Sequence, residues 1–268
     1  IASILPTGAV SFLYYADRVN QLPLGVVGVA IGTALLPLLS RQLRTGEIAA
    51  AANSMNRGME IALLLTVPAA AALLVIAEPI VIVLFERGAF DAADTAASAA
   101  ALVAFATGLP AYVLIKVFAP GFFARKDTKT PVKVAVVGLL SNLAIMAMLI
   151  WSLGHVGIAL ATAGAAWING GILCYILIKR GHFKPDARLR HRLVRILLAS
   201  ALMAVALWAA SWAMARYVPD TKLFEALALG GMVVLGLAVY AIAGQVLGAF
   251  NLADIRAMVR RRAPKKGT

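Results

Sequence analysis

Apolar runs of about 20 residues recur along almost the whole chain, and that recurrence leaves little choice of fold. Twenty residues of helix rise roughly 30 Å, the thickness of the hydrocarbon core of a bilayer. Seven such runs are read, at roughly 8–42, 57–77, 92–122, 131–152, 156–178, 194–215 and 224–249. The second ends at a Glu78-Pro79 break and a short apolar piece to Phe85. With 62% hydrophobic and only 14% charged residues, the chain lies far from a soluble domain, which has about 45–50% and about 25%. A transmembrane barrel would show alternating segments of about 10 residues, and none are seen. The fold class is an all-α polytopic membrane protein. Residues 1–7 read as the end of a preceding span. The chain begins at Ile1 inside an apolar run, without a signal peptide, so it is expected to be the C-terminal part of a longer protein.

Lys and Arg set the orientation of such a chain. One connection holds Arg41, Arg44 and Arg57; the next holds Arg125, Lys126, Lys129 and Lys133. The third holds Lys179, Arg180, Lys184, Arg188, Arg190, Arg192 and Arg195, and the tail holds Arg256, Arg260, Arg261, Arg262, Lys265 and Lys266. Together these are 20 of the 25 basic residues. The alternate connections hold only Arg87, Arg216 and Lys222. Strict alternation supports seven spans and places the C-terminus in the cytoplasm. The net charge of +13 therefore reports topology and attraction to anionic membrane lipids, not nucleic acid. After Pro185, Leu189 and Leu193 face one side and Arg188, Arg192 and Arg195 another, as in a short interfacial helix that anchors the next span. Trp151, Trp208, Trp212 and Tyr217 fall near outer span ends, where aromatic belts sit.

Enzymatic chemistry finds no support. Cys174 is the only cysteine, and His155, His182 and His191 are scattered. No paired carboxylates, phosphate-cradling glycine loop, HExxH or Ser/His/Asp set stands out. Neither a cofactor nor a metal is expected.

The chemistry gathers on span one. Tyr14, Arg18, Gln21, Gly25, Gly28 and Gly32 fall on one helical stripe, with Asp17 at its border. Neither charge nor glycine suits a lipid-facing surface: glycine permits close helix approach, and an intramembrane arginine faces protein or water. Asp17 and Arg18 diverge by about 100° on a helix, so each serves a different partner. Arg18 has two readings. It pairs with an acid on another helix and locks the bundle, or it binds a planar oxyanion such as phosphate or carboxylate. Pro23 removes the hydrogen bond to the Val19 carbonyl and favours a kink. Lys116 is the other intramembrane cation; it either snorkels to the inner interface or faces the same cavity as Arg18. Glu78 reads as a helix-end residue.

"YYADRVNQLPLGVVGVAIGTALLPLLSRQL" and "KVFAPGFFARKDTKTPVKVA" resemble the bacterial lipid II flippase family (MurJ, or MviN), and the similarity runs over essentially the whole chain. Members have fourteen spans in the MATE-like fold of the multidrug/oligosaccharidyl-lipid/polysaccharide (MOP) exporters: two six-helix lobes around a central cavity, then two extra C-terminal helices. The resemblance implies that residues 1–180 are the second lobe with a partial first helix, 181–250 the two extra helices, and 251–268 a basic cytoplasmic tail. It implies a flippase, moving undecaprenyl-pyrophosphate-linked disaccharide pentapeptide to the periplasmic leaflet of the bacterial inner membrane by alternating access. It makes Arg18, the arginine of the "ADR" motif, a substrate-binding residue, with Asp17, Gln21 and Lys116 beside it. Pro23, Gly25, Gly28 and Gly32 would let the lobe kink and pack. Where members can carry an acid one turn after the motif arginine, Gln21 stands here. The implied partners are lipid II, membrane lipids, the missing N-terminal lobe and cell-wall synthesis proteins. The implied driving force is membrane potential or an ion gradient. Two alternatives remain at this point: another exporter of the superfamily, for a polysaccharide-lipid or drugs, and a non-transporting scaffold for cell-wall enzymes.

Overall fold

A computed structural model describes residues 8–217 and 221–250. The described residues are helical with no strand, in the order α1 (Ala9–Arg44), α2 (Ile48–Val75), α3 (Ala77–Phe85), α4 (Ala92–Ala106), α5 (Leu109–Phe123), α6 (Lys129–Lys179), α7 (Ala187–Tyr217) and α8 (Lys222–Val246). Six stretches are long and apolar enough to cross a membrane, α4 and α5 counting as one. α6 has 51 residues, about 76 Å of helix and more than twice the hydrocarbon thickness. It turns back at Gly154, whose φ of 55° and ψ of −128° are not helical. Only glycine takes such a conformation without strain. Asn142 Nδ2 donates to Thr162 Oγ1 at 3.3 Å across the two limbs, and a Cβ on Gly157 would stand 2.7 Å from the Leu149 carbonyl oxygen. The limbs therefore lie side by side, which makes seven crossings among the described residues.

Several expected boundaries shift, each for a physical reason. α2 starts nine residues earlier than residue 57, because the alanine-rich 48–56 segment is a good helix former. Arg57 thus lies inside a helix and not in a connection. The span expected at 92–122 breaks between α4 and α5. There Gly108 packs so closely on α6 that a Cβ would meet Ala163 Cα at 2.7 Å, and Trp167 Nε1 donates to the Thr107 carbonyl at 2.9 Å. Asp91 opens α4 with a capping box, accepting from the N–H groups of Ala93 and Asp94 at 2.9 and 3.0 Å; such a cap contributes about 1 kcal/mol. The short helix expected after Pro185 is no separate element: residues 187–217 form one helix. Residues 1–7, the tail at 251–268 and the side chain of Tyr217 lie outside the described residues.

The interior falls into three apolar clusters. Val27, Ile31, Leu35 and Leu39 of α1 pack with Met55, Val113, Phe118 and Leu173. Toward the other end of α1, Ala16 and Val19 pack with Leu73, Val81, Leu102 and Phe105. The third joins Ile76 to Met203, Leu207 and Met232 and seats α7 and α8 on the outside of α2. Pro68 helps fix that seat. It has no N–H, so the Leu64 carbonyl one turn earlier loses its helical partner. The Tyr240 hydroxyl of α8 donates to that carbonyl at 2.7 Å.

Candidate functional site

A cavity of about 340 Å³ opens beside the N-terminal half of α1. From α1 it is lined by Asp17, Asn20 and Gln21, at positions i, i+3 and i+4 of one helical face. α5 adds Tyr112 and Lys116, one turn apart, and α6 adds Thr162. Leu24 and Phe105 complete an apolar wall. The Gln21 side-chain amide donates to the Asp17 carboxylate and holds it in place. Thr162 donates to the Ile158 carbonyl at 2.9 Å and accepts from Asn142, so its oxygen is already engaged. Two polar atoms remain unanswered. Asn20 is 2% exposed and its Oδ1 has no partner among the described residues; the buried Tyr112 hydroxyl has none either. Buried polar groups nearly always find partners, so this pair marks a place built to meet something polar.

Asp17, Gln21 and Lys116 thus come together around one cavity, whereas Arg18 does not line it. Arg18 is exposed on the neighbouring face of α1, with its guanidinium 4.7 Å from the centroid of the Tyr14 ring. No acid pairs with it among the described residues, so the reading of Arg18 as a lock to an acid has no support there. Lys116 lines the cavity from α5. Its side chain lies across Gly28: a Cβ on that glycine would stand 2.7 Å from Lys116 Cδ and 3.0 Å from Nζ.

The glycines of the stripe meet different surroundings among the described residues. Gly28 makes room for a lysine side chain, while Gly25 and Gly32 have no atom within 4 Å of where a Cβ would be. The described residues leave that face of α1 uncovered, and Tyr14, Arg18, Gln21, Gly25 and Val26 are all exposed on it. Pro23 sits inside a helix that runs on to Arg44.

A second polar cluster joins α2 to α7. Glu60 is 5% exposed and accepts from Arg57 and Arg192, with Arg188 at 3.6 Å. Arg57 also pairs with Asp186, and Asn56 donates to the Lys184 carbonyl at 3.0 Å. Arg188 and Arg192 were expected only to anchor the helix at the membrane surface. They also hold α7 against α2, because helix formation through residue 57 puts Glu60 one turn further in and facing them. Nearby, Asp127 tethers the turn between α5 and α6 to the end of α6. It accepts from the Thr130 hydroxyl at 2.6 Å and N–H at 3.0 Å, and from Arg180 at 2.6 Å. The two Thr130 donors, then Arg180, hold its carboxyl well below the usual carboxylate range. Burial, followed by Arg125 and Arg180, pushes the His182 imidazole pKa down. No group of three or more metal-ligating side chains exists among the described residues.

Asn20, Tyr112 and Thr162 were not anticipated from the sequence. Asn20 carried a usable signal, since it lies three residues from Asp17 on the same face, and Tyr112 lies one turn before Lys116. Thr162 carried none, because only the fold brings α6 alongside α1.

Comparison with known proteins agrees with this architecture. The family model described as lipid II flippase MurJ matches residues 1–228. A probable lipid II flippase MurJ of Rhizobium meliloti is 45% identical over 260 residues, which are 96% of this chain and 48% of the relative. Another from Vibrio cholerae is 37% identical over 257 residues, covering 96% and 49%. The solved structure of a lipid II flippase MurJ in an inward closed conformation superposes with a TM-score of 0.75 at 26% identity, over 91% of this chain and 48% of that one. The chain spans about half the length of the curated relatives it matches.

Proposed function

The chain belongs to the lipid II flippase MurJ family, and on that premise we propose that it forms the C-terminal half of a flippase for the lipid-linked peptidoglycan precursor. Residues 1–180 form the second lobe, 181–250 the two additional helices, and 251–268 a cytoplasmic tail in the bacterial inner membrane. The missing N-terminal half closes the cavity from the other side. Lipid II passes from the cytoplasmic to the periplasmic leaflet as the two lobes alternate, driven by membrane potential or an ion gradient.

One observation carries this reading: in a membrane-spanning helix, an arginine without an acid partner stands open beside a polar cavity. An arginine at the bilayer centre costs roughly 2.5–3.5 kcal/mol on the insertion scale. The Tyr14 contact returns about 0.5–1 kcal/mol at an exposed site, which leaves most of that cost unmet. A cation in that state suits the pyrophosphate of a lipid-linked substrate, bound by the planar guanidinium in bidentate fashion. Lowering the energy of the anionic head group inside the membrane is what a flippase must do. The test is lipid II exposure at the outer leaflet in cells carrying full-length Arg18→Ala. Loss of exposure at normal expression is expected, and undiminished exposure overturns the role of Arg18.

A further inference from the structure

Helices α1, α5, α6 and α8 end in the same backbone turn. At the end of α6, for example, the Gly181 N–H donates to the Ile178 carbonyl at 3.0 Å and the His182 N–H to the Leu177 carbonyl at 2.9 Å. At the end of α5 the Lys126 N–H donates to the Phe123 carbonyl at 2.9 Å and the Asp127 N–H to the Phe122 carbonyl at 3.1 Å. Such a turn needs a left-handed residue at its corner, usually glycine. Gly46, Gly181 and Gly248 supply it after α1, α6 and α8, with φ of 76°, 69° and 71°. After α5 the corner is Lys126, with φ of 61°, and no other non-glycine among the described residues has a positive φ. A Cβ in that conformation crowds the following carbonyl. The α5 turn therefore carries strain that the other three avoid, and strain of this kind is held where a side chain has work to do.

The neighbours of Lys126 are committed within the protein. The Arg125 guanidinium donates to the Gly121 carbonyl at 2.7 Å, and the Asp127 carboxylate is engaged by Thr130 and Arg180. The Lys126 side chain is exposed and meets no partner among the described residues, and the same holds for Lys129 and Lys133 in the first two turns of α6. A charge that served orientation alone would count equally at Thr128, which is exposed and has an ordinary φ of −87°. Lys129 and Lys133 open a stripe that continues along one face of α6 through Val136, Leu140 and Leu143, all three of them exposed. From Lys133 to Leu143 the stripe rises about 15 Å, half of a hydrocarbon core of about 30 Å.

Three unpaired ammonium groups at the end of an apolar track one leaflet long match a phospholipid of net negative charge. Lysine binds phosphate as a point charge, and each basic residue at the surface adds to the attraction of anionic lipid. We infer that Lys126, Lys129 and Lys133 hold the head group of an anionic phospholipid whose acyl chain lies along Val136, Leu140 and Leu143. Lys126 keeps a glycine's conformation for the sake of that contact. An acidic protein segment would engage the lysines and leave the apolar stripe without a role. None of these residues lines the cavity beside α1, and the inference does not depend on the flippase reading.

The test uses the full-length protein with a photoreactive benzophenone amino acid in place of Val136, in nanodiscs of phosphatidylcholine containing a minority of phosphatidylglycerol. The readout is the ratio of the two lipids crosslinked at that position, relative to their ratio in the disc. With Lys126 in place, phosphatidylglycerol is enriched. Lys126→Gly lowers the enrichment about fivefold, the worth of one lysine at the surface, and Lys126→Arg keeps it. In neutral micelles without anionic lipid, Lys126→Gly also raises the folded-to-unfolded ratio about fivefold, because the strain is relieved. A more stable protein that selects anionic lipid less well separates lipid binding from a structural role of the turn, which would move neither the enrichment nor its rescue by arginine. Crosslinking of both lipids in their bulk ratio with Lys126 present overturns the inference, as does enrichment unchanged in Lys126→Gly. A Lys126→Gly protein no more stable than its parent overturns the claim that the lysine is held there against strain.

Discussion

Replacing Glu60 by Gln tests whether the α2–α7 cluster holds the additional helices to the rest of the chain. The cost follows from the surroundings of each partner. Glu60 is 5% exposed, so water cannot substitute for what it loses. Arg57 keeps Asp186 as a second partner. The Arg188 side chain is 53% exposed and 3.6 Å away, so it contributes little, as exposed pairs do. Arg192 is different: its side chain is 19% exposed, and its bond to Glu60 loses the carboxylate charge. The change is therefore dominated by the Glu60–Arg192 pair, in which a neutral amide oxygen replaces a carboxylate. That places the destabilisation at about 1.5–3 kcal/mol, the worth of a hydrogen bond to a charged group. The assay is reversible unfolding of the full-length protein in mixed micelles, extended to a cycle of Glu60→Met, Arg192→Met and the double variant. Each single change is expected to destabilise, and the double by less than the sum, since the two side chains are in direct contact. A Glu60→Gln variant within about 0.5 kcal/mol of wild type, or strictly additive single changes, refutes the reasoning.

Tyr240→Phe leaves the Leu64 carbonyl with neither helical nor side-chain donor, at a cost of about 1–2 kcal/mol; in a Pro68→Ala background the restored N–H should abolish that cost in the same unfolding assay. Gly108→Ala drives a Cβ to within 2.7 Å of Ala163 Cα and should lower stability by about 1–3 kcal/mol, whereas Gly171→Ala, with nothing within 4 Å, should not. Asp127→Asn probes pH dependence. Because the folded-state pKa of Asp127 is depressed, its stabilisation is complete above the ordinary carboxylate value near 4 and is lost as pH falls through the lower folded value. The gap between wild type and Asp127→Asn, below about 1 kcal/mol for a partly exposed pair, should therefore stay constant at neutral pH and close below about pH 4. A gap unchanged down to pH 2 contradicts the assignment.

The spans were legible because their signal is local. Twenty apolar residues declare a crossing wherever they pack, and Gly154 marks the turn between two of them. What stayed hidden depended on neighbours in space. Arg57 looked like a loop cation until the alanine-rich 48–56 segment proved helical and carried it beside Glu60. Arg188 and Arg192 carried a surface-anchor pattern, and nothing in their own segment pointed to an acid on α2 some 130 positions earlier. The α1 stripe was read as a special face with its glycines for helix packing, and glycine alone cannot say whether a backbone, a lysine or open space lies opposite.

The partners of these cations separate two roles that composition merges. Arg57, Arg192 and Arg180 each meet a carboxylate from another element or another turn, and each joins pieces of the bundle. Arg18 and Lys116 lie within helices long and apolar enough to cross a membrane and meet no carboxylate among the described residues. A cation that joins helices offsets its desolvation with a fixed acid and so stabilises the bundle only while it stays there. A cation left without one keeps its field available to whatever enters the adjoining space. Asp17 and Lys116 line one cavity with no ion pair between them, and this, more than the presence of charge in a greasy helix, sets α1 and α5 apart from the helices whose cations are tied to an acid.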